Sequence, residues 1–259
     1  MPAQSTTSNA RLWIVALNDG ESIEIRRILD AAGELYAVSN QRWGARWDRL
    51  EAPVVELLKR FQLDKPDAVV YGVELAGPNS FRAINIDHHR YAGDDRGHVM
   101  SSLEQVAALL SRPLTQWQKL VALNDRGYIP AMLAAGASCR EVIAVRRQDR
   151  LAQGVTAENS RIAKRDIRTA RWIGARVRVD CPDGFTSAHS DRLFDRAQEI
   201  LLTSATSWSY SGPRHRQLAT MDFAENHWSG GAEESGYFGI ESPGAATKRQ
   251  IIELLGMPE

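Results

Sequence analysis

With 259 residues, 43% of them hydrophobic and 25% charged, the chain has an ordinary globular composition and is long enough for one large domain or two modest ones. Its 32 basic side chains are matched by 32 acidic ones, so no global positive field marks it for a long nucleic acid. No run of about twenty apolar residues is present, which argues against a membrane span.

Residues 1–10 are small and polar and read as a disordered tail rather than a signal peptide. The two cysteines, Cys139 and Cys181, fit no CxxC pattern, and a reduced cytoplasm is the expected setting. Arginine outnumbers lysine. Genome composition explains this, although the excess also supplies planar donors suited to phosphate.

Leu12 to Leu17 is a continuous apolar run of strand length, as burial on both faces requires. It stops at Asn18-Asp19-Gly20-Glu21-Ser22, and a helix follows with Ile23, Ile25, Ile28 and Leu29 apolar. Leu35 to Val38 is a second candidate strand. Trp43 and Trp47 share one helical face and read as core rather than cofactor contacts. Val54 to Phe61 is an amphipathic helix. Ala68 to Leu75 and Ala83 to Ile86 are the next buried strands. Strands alternating with helices predict an α/β fold with a doubly wound, mainly parallel sheet. In such sheets ligands gather beyond the carboxyl ends of the strands. Asp19, Glu21, Glu74 and Asp87-His88-His89 each follow a strand, so one rim is expected to carry them all.

Asp87-His88-His89 is the densest of these clusters. One carboxylate and two imidazoles stand in a row where a strand gives way to a loop, and there they can fan out around one point. Both side-chain types are ligands for divalent ions such as Mn²⁺. The alternative is a polar loop in which the aspartate caps a helix and the histidines meet solvent.

Ser101 to Leu110 and Gln116 to Leu123 read as helices. The second runs into Asn124-Asp125-Arg126-Gly127-Tyr128, either a functional cluster or an ordinary helix end. Residues 130 to 153 continue helical, and Val155 to Ala175 reads as a long Arg-rich helix, a solvated face that also serves as a connector between domains. Beyond it, Val177 to Val179 is a strand, Ser190 to Ile200 a helix and Leu201 to Tyr210 a β-rich stretch. Between Trp228 and Gly239, four glycines in ten residues either free the backbone to approach a ligand or make ordinary loops. A final helix spans Ala245 to Leu255.

Together these clusters resemble the DHH phosphoesterase superfamily. That family includes manganese-dependent pyrophosphatases, exopolyphosphatases, single-strand exonucleases and phosphodiesterases for oligoribonucleotides and cyclic dinucleotides. The third family motif is intact as Asp87, His88 and His89, and Ser101-Ser102-Leu103-Glu104 is similar to the segment that often follows it. Asp125-Arg126-Gly127-Tyr128 matches the fourth. The first, His-x-x-x-Asp-x-Asp, is present only as Asp19-Gly20-Glu21, with Val15 where the histidine would stand. Glu74 stands for the bridging aspartate of the second. Gly230-Gly231 resembles the family's substrate loop, with Ala232 where a histidine often follows.

The resemblance implies a plan of a metal-binding domain at residues 11–153, a helical linker at 154–175 and a smaller α+β substrate-binding domain at 176–259. It implies one or two Mn²⁺ or Mg²⁺ ions held by Asp19, Glu21, Glu74, Asp87, His88 and Asp125. His88 and His89 become the catalytic histidines, His89 serving the phosphate or the leaving group. Arg90 and Arg126 are then phosphate clamps or plain surface ion-pair partners, and Gly230, Gly231 and Tyr237 contact substrate. His227 and Trp228 either meet a base or are structural. The expected activity is metal-dependent hydrolysis of a small phosphate ester or anhydride, above all a nucleotide. The alternative, raised by Val15 and Glu74, is a DHH-like protein that binds a nucleotide or sugar phosphate without hydrolysing it. Long nucleic acids and membranes are not expected partners, and a homodimer is left open.

Overall fold

A computed structural model describes residues 10–17, 19–42, 44–91 and 93–257. The expectations placed on residues 1–9 of the tail, on Asn18 and on Trp43 lie outside the described residues.

The first strand, β1 (Arg11–Ala16), is buried along nearly its whole length. It alternates between two apolar clusters, and this alternation builds the first layered unit. Leu12, Ile14 and Ala16 pack with Val54, Leu58 and Phe61 of helix α2 (Ala52–Asp64), on the other side from helix α1 (Gly20–Ala32). Trp13 and Val15 face Ile25, Ile28 and Leu29 of α1. With β2 (Leu35–Ser39), β3 (Val69–Val73) and β4 (Ile84–Ile86), β1 forms a fully parallel sheet in the order β2-β1-β3-β4. Helices thus cover both faces of a doubly wound sheet.

Trp47 lies in a single 3₁₀ turn, Trp47–Arg49, and not on the helix expected there. Its ring presses on Gly72 of β3, where an added Cβ would sit 2.0 Å from the indole. Its Nε1 donates to Asn85 Oδ1 at 2.9 Å. Docking across the sheet, rather than helical periodicity, fixes this tryptophan.

After β4 the chain makes a short hairpin, β5 (Arg90–Tyr91) and β6 (Asp94–Asp95). Then come α3 (Ser102–Leu109), α4 (Gln116–Ala134) and α5 (Cys139–Ala152), each N-capped by a serine or threonine in a capping box. They stack on the α1 side of the sheet. The segment 124–128 does not end α4. Gly127 and Tyr128 leave helical geometry for two residues, Tyr128 at φ 59°, and the helix then resumes to Ala134.

The Arg-rich helix expected over 155–175 is shorter. Helix α6 (Ala157–Asp166) ends in a 3₁₀ turn, and strand β7 (Arg171–Ile173) follows. Gly174, at φ +59°, reverses the chain into β8 (Arg176–Asp180), so the sequence around Gly174 is a hairpin. The helix expected at 190–200 is also displaced. Only α7 (Ser187–Ser190) is helical, and residues from Glu199 belong to β9 (Glu199–Thr203), which pairs in parallel with β8. Non-local strand pairing outweighed local helical preference there. Ile200 and Leu202 are buried with Val177, Val179 and Leu193 on one face of β9.

The remaining elements are β10 (Ser207–Ser211), α8 (His215–Ala219), β11 (His227–Gly230), β12 (Tyr237–Glu241) and α9 (Ala245–Leu255). They complete a mixed, largely antiparallel sheet ordered β6-β5-β11-β12-β10-β9-β8-β7. Ile251 and Leu255 of α9 pack on Trp208, Tyr210, Phe238 and Ile240. The hairpin that follows Asp87-His88-His89 therefore belongs to the second sheet. Arg90 pairs with Ser229 and Tyr91 with Trp228. This pairing sets the second sheet against the carboxyl rim of the first. Among the described residues, no helix is long and apolar enough to cross a membrane.

Candidate metal centre

The parallel sheet delivers its strand ends to one rim, as the connectivity requires. Asp19 opens α1 as its N-cap, accepting from the Ser22 N–H at 3.0 Å. Glu21, in the first turn of that helix, is turned inward and buried. One of its oxygens accepts the Leu103 N–H at 3.0 Å, and the other, Oε2, has no hydrogen-bond donor. Glu74 follows β3 in the left-handed region, at φ 54°, where a residue other than glycine is strained. That turn swings its carboxylate in among the others.

Glu21, Glu74, His88 and Asp125 each bring one ligand-type atom to within 4.8 Å of the others. His88 Nε2 lies 2.6 Å from Asp125 Oδ2 and 3.5 Å from Glu74 Oε1. The 2.6 Å contact lacks the alignment of a hydrogen bond, and both atoms are buried. Ligand-type atoms that converge at short range without the alignment of a hydrogen bond are what a shared cation satisfies. Glu74, His88 and His89 form an overlapping second group.

Electrostatics agree with the crowding. Burial, followed by the charges of Asp125 and Glu74, pushes the Glu21 carboxyl well above its ordinary value. Burial, then Glu74 and Asp125, does the same to Asp19. Burial alone would raise Glu74 too, but the neighbouring His88 and the His89 charge outweigh it and hold this carboxyl low. Burial lowers a histidine, yet the Asp125 carboxylate keeps His88 well above the ordinary imidazole range. Three carboxylates share too little positive charge, which is the condition a divalent ion relieves.

Asp87, expected among the ligands, stands outside this set. Its Oδ1 accepts the backbone N–H groups of His88 at 2.8 Å and His89 at 3.0 Å, and lies 2.7 Å from His89 Nδ1. Its Oδ2 accepts Tyr91 OH at 2.9 Å and faces Arg96 at 3.5 Å. With both oxygens engaged, Asp87 organises the loop and orients His89. Asp19 is close enough to feel the same charges and lines the cleft, but the four-residue set does not include it. Val15 is buried in the apolar cluster of the sheet, so no imidazole enters from that position.

A cleft of about 510 Å³ opens between this rim and the second sheet. Asp19, Glu74, His89 and Asp125 line one side, and His227, Trp228 and Glu241 the other. Among the described residues its cations are Arg46, itself paired with Asp48 at 2.8 Å, and Arg49, on the segment after β2, which the sequence did not single out. Their only signal there was proximity to Gly44 and Trp47. Arg90 and Arg126, proposed as clamps, do not line the cleft. Arg90 is paired with Asp95 at 3.2 Å and Arg126 with Glu104 at 3.0 Å. Gly230 and Gly231 lie behind the wall. An added Cβ at Gly230 would sit 2.7 Å from the Tyr237 hydroxyl, and one at Gly231, at φ +88°, 2.7 Å from the Gly236 Cα. Gly230 lets Tyr237 settle with its ring 6.0 Å from that of His89. Burial and the charges of Asp125 and Glu74 push the Tyr237 phenol well above its ordinary value.

No family model and no curated protein matches the chain. Eight solved chains do. One is described as a pGpG-specific phosphodiesterase, PggH, from Vibrio cholerae, at 10% identity and a TM-score of 0.41, covering 95% of this chain and 97% of that one.

A buried network supports the rim from behind. Arg146 bonds Asp149 Oδ2 at 2.5 Å, Asp191 Oδ1 at 2.7 Å and Asn124 Oδ1 at 3.1 Å. Asp149 in turn accepts the Gly20 N–H at 3.0 Å, and Tyr128 donates to Asp191. The loop bearing Asp19 and Glu21, the break in α4 beside Asp125 and the turn after α7 are thereby tied to one guanidinium.

Proposed function

We propose that the protein is a metal-dependent phosphohydrolase of DHH type acting on a small phosphate ester or anhydride, with a nucleotide as the substrate class. The supporting observation is the convergence of buried Glu21, Glu74 and His88 with half-buried Asp125, all within 4.8 Å of one another, on a cleft that admits a small ligand. Oxygen and imidazole donors of this kind suit Mn²⁺ or Mg²⁺. These four residues would hold one ion, and the overlapping Glu74, His88 and His89 group offers a second position. When bound, such ions polarise phosphoryl oxygens and lower the pKa of a coordinated water.

The protein's own groups supply the rest. Burial and the neighbouring His88 both lower the His89 pKa, but the hydrogen bond to Asp87 overcomes them and raises it. With that second position unfilled, a protonated His89 at the cleft wall would serve as the general acid for a leaving oxygen. Arg46 and Arg49 draw the anionic substrate in. Trp228 and His227 offer flat surfaces for a base, in a cleft whose volume falls within the range of small-ligand sites. In this reading residues 11–153 carry the metal donors, 154–175 connect, and 176–259 select the substrate, with β5 and β6 crossing over. The cytoplasm is the proposed setting.

Val15 supports a second reading, a DHH-like protein that binds a nucleotide or sugar phosphate on a reduced metal complement without cleaving it. One experiment separates the two. The purified protein is assayed for bound metal and incubated with Mn²⁺, Mg²⁺ or Co²⁺ on pyrophosphate, short oligonucleotides, cyclic dinucleotides and nucleotide monoesters. Hydrolysis predicts metal-dependent release that disappears in folded His88→Ala and Asp125→Ala variants. Nucleotide binding without turnover, with little metal bound, favours the second reading, and a folded protein that neither cleaves nor binds any of these phosphates rules out both.

A further inference from the structure

A second group of ligand-type side chains lies away from the cleft and shares no residue with its metal centre. Asp166 closes α6, Cys181 follows β8, and His189 sits on α7. All three are buried, at 4%, 0% and 1% exposure. One ligand atom from each lies within 4.8 Å of the other two. The polar contacts among and around them are slack. His189 Nε2 is 3.4 Å from Asp166 Oδ2, longer than an ordinary hydrogen bond. The Cys181 thiol is 3.6 Å from the Val179 carbonyl. Among the described residues, the closer side-chain partner of Asp166 is on its other oxygen, where Arg165 approaches to 2.8 Å from the surface.

We propose that Asp166, Cys181 and His189 form a second cation site, taking Zn²⁺. A carboxylate, an imidazole and a thiolate are the donor types of tetrahedral zinc sites, and metal–ligand distances of about 2.0–2.3 Å require only a modest closing of the three atoms. The sulfur ligand separates this site from the oxygen-rich cleft, because Mn²⁺ and Mg²⁺ disfavour thiolate. The outer contact of the histidine is already in place. His189 Nδ1 accepts the Thr186 N–H at 3.2 Å and lies 3.3 Å from the Thr186 carbonyl, so ligation through Nε2 shifts the ring proton from Nε2 to Nδ1, which then donates to that carbonyl. On binding, the thiol gives its proton to solvent and its sulfur lone pair to the ion, with no change in redox state. Three protein ligands leave one tetrahedral position for water. The site would pin α6, β8 and α7, the stretch that joins the two sheets.

Co²⁺ tests this directly, since only a thiolate ligand gives a near-ultraviolet thiolate-to-cobalt charge-transfer band. Chelator-treated full-length protein is titrated with Co²⁺ and then with Zn²⁺. The expected result is a band that appears with Co²⁺ and is erased by Zn²⁺, which binds more tightly. The band is retained in Cys139→Ser and in Asp125→Ala, and Cys181→Ser removes it along with one equivalent of bound zinc. Should Cys181→Ser fail to fold, the spectrum of Cys139→Ser decides the matter, because Cys181 is then the sole thiol. Folded wild-type protein saturated with Co²⁺ but lacking the band overturns the proposal, as does a band that survives Cys181→Ser. Neither result depends on the chemistry of the cleft.

Discussion

Replacing Glu21 by glutamine should make the metal-free protein more stable and the metal-loaded protein less so. The side chain is 2% exposed and glutamine matches its shape. The retained carbonyl oxygen still accepts the Leu103 N–H, now 3.0 Å from Oε1. The new amide supplies a donor at Oε2, which has none in the wild type. Two like charges at the 4.8 Å outer limit of the cluster repel by about 3.5 kcal/mol at an effective dielectric of about 20. The wild-type site avoids part of this by taking up a proton, so the gain on neutralisation is smaller, on the order of 2 kcal/mol. For a chain of this size that is a rise in Tm of about 4–8 °C. Thermal melts in chelator and in saturating Mn²⁺ read both effects. In chelator the variant melts above the wild type, and Mn²⁺ stabilises it far less because one ligand oxygen is gone. A variant that melts lower in chelator and still gains the full Mn²⁺ shift would refute the account of Glu21 as a crowded carboxylate in a cation site.

The pH dependence follows from the same groups. Glu21, Asp19 and His88 all have raised values, so each favours the folded state when protonated, fully so below its ordinary pKa. That contribution is lost as pH rises through the raised values. Urea melts in chelator should therefore show stability falling as pH rises above the ordinary carboxylate range. Glu74 acts oppositely, but only below the ordinary carboxylate range. Saturating metal should flatten the slope, because its affinity grows as the ligands lose protons. Arg146→Met should cost about 3–5 kcal/mol by urea denaturation, since it removes the cation paired with the buried Asp149 carboxylate and leaves half-buried Asp191 to Arg150 and Tyr128. It should also weaken Mn²⁺ binding in a calorimetric titration, because Asp149 anchors the Gly20 amide beside Glu21. Gly72→Ala should cost at least about 1–3 kcal/mol in the same denaturation assay, because the new methyl would overlap a Trp47 ring that has no room to retreat.

Features that depend on one short stretch of chain were legible in the sequence. The six residues of β1 carry their burial in their own composition, and α9 spans the same Ala245–Leu255 that its periodicity marks. The alternation of strands and helices was enough to place Asp19, Glu74 and Asp87 at the carboxyl rim of a parallel sheet, because that rule concerns connectivity alone. Tertiary structure decided how those groups are used. Asp87 and His88 are neighbours in sequence, yet the Asp87 carboxylate accepts backbone amides and Tyr91 while His88 meets Asp125 from a distant helix. The placement of β5 beside β11, which makes the second wall of the cleft, depends on backbone pairing between residues more than a hundred positions apart. Arg46 and Arg49 enter the cleft because Trp47 docks on Gly72, and Glu199–Thr203 became a strand because β8 was there to pair with it. Local periodicity reports whether a segment is buried. Which groups meet within a few ångströms is set by long-range pairing and by the unequal cost of burying each charge, and a linear sequence does not display either.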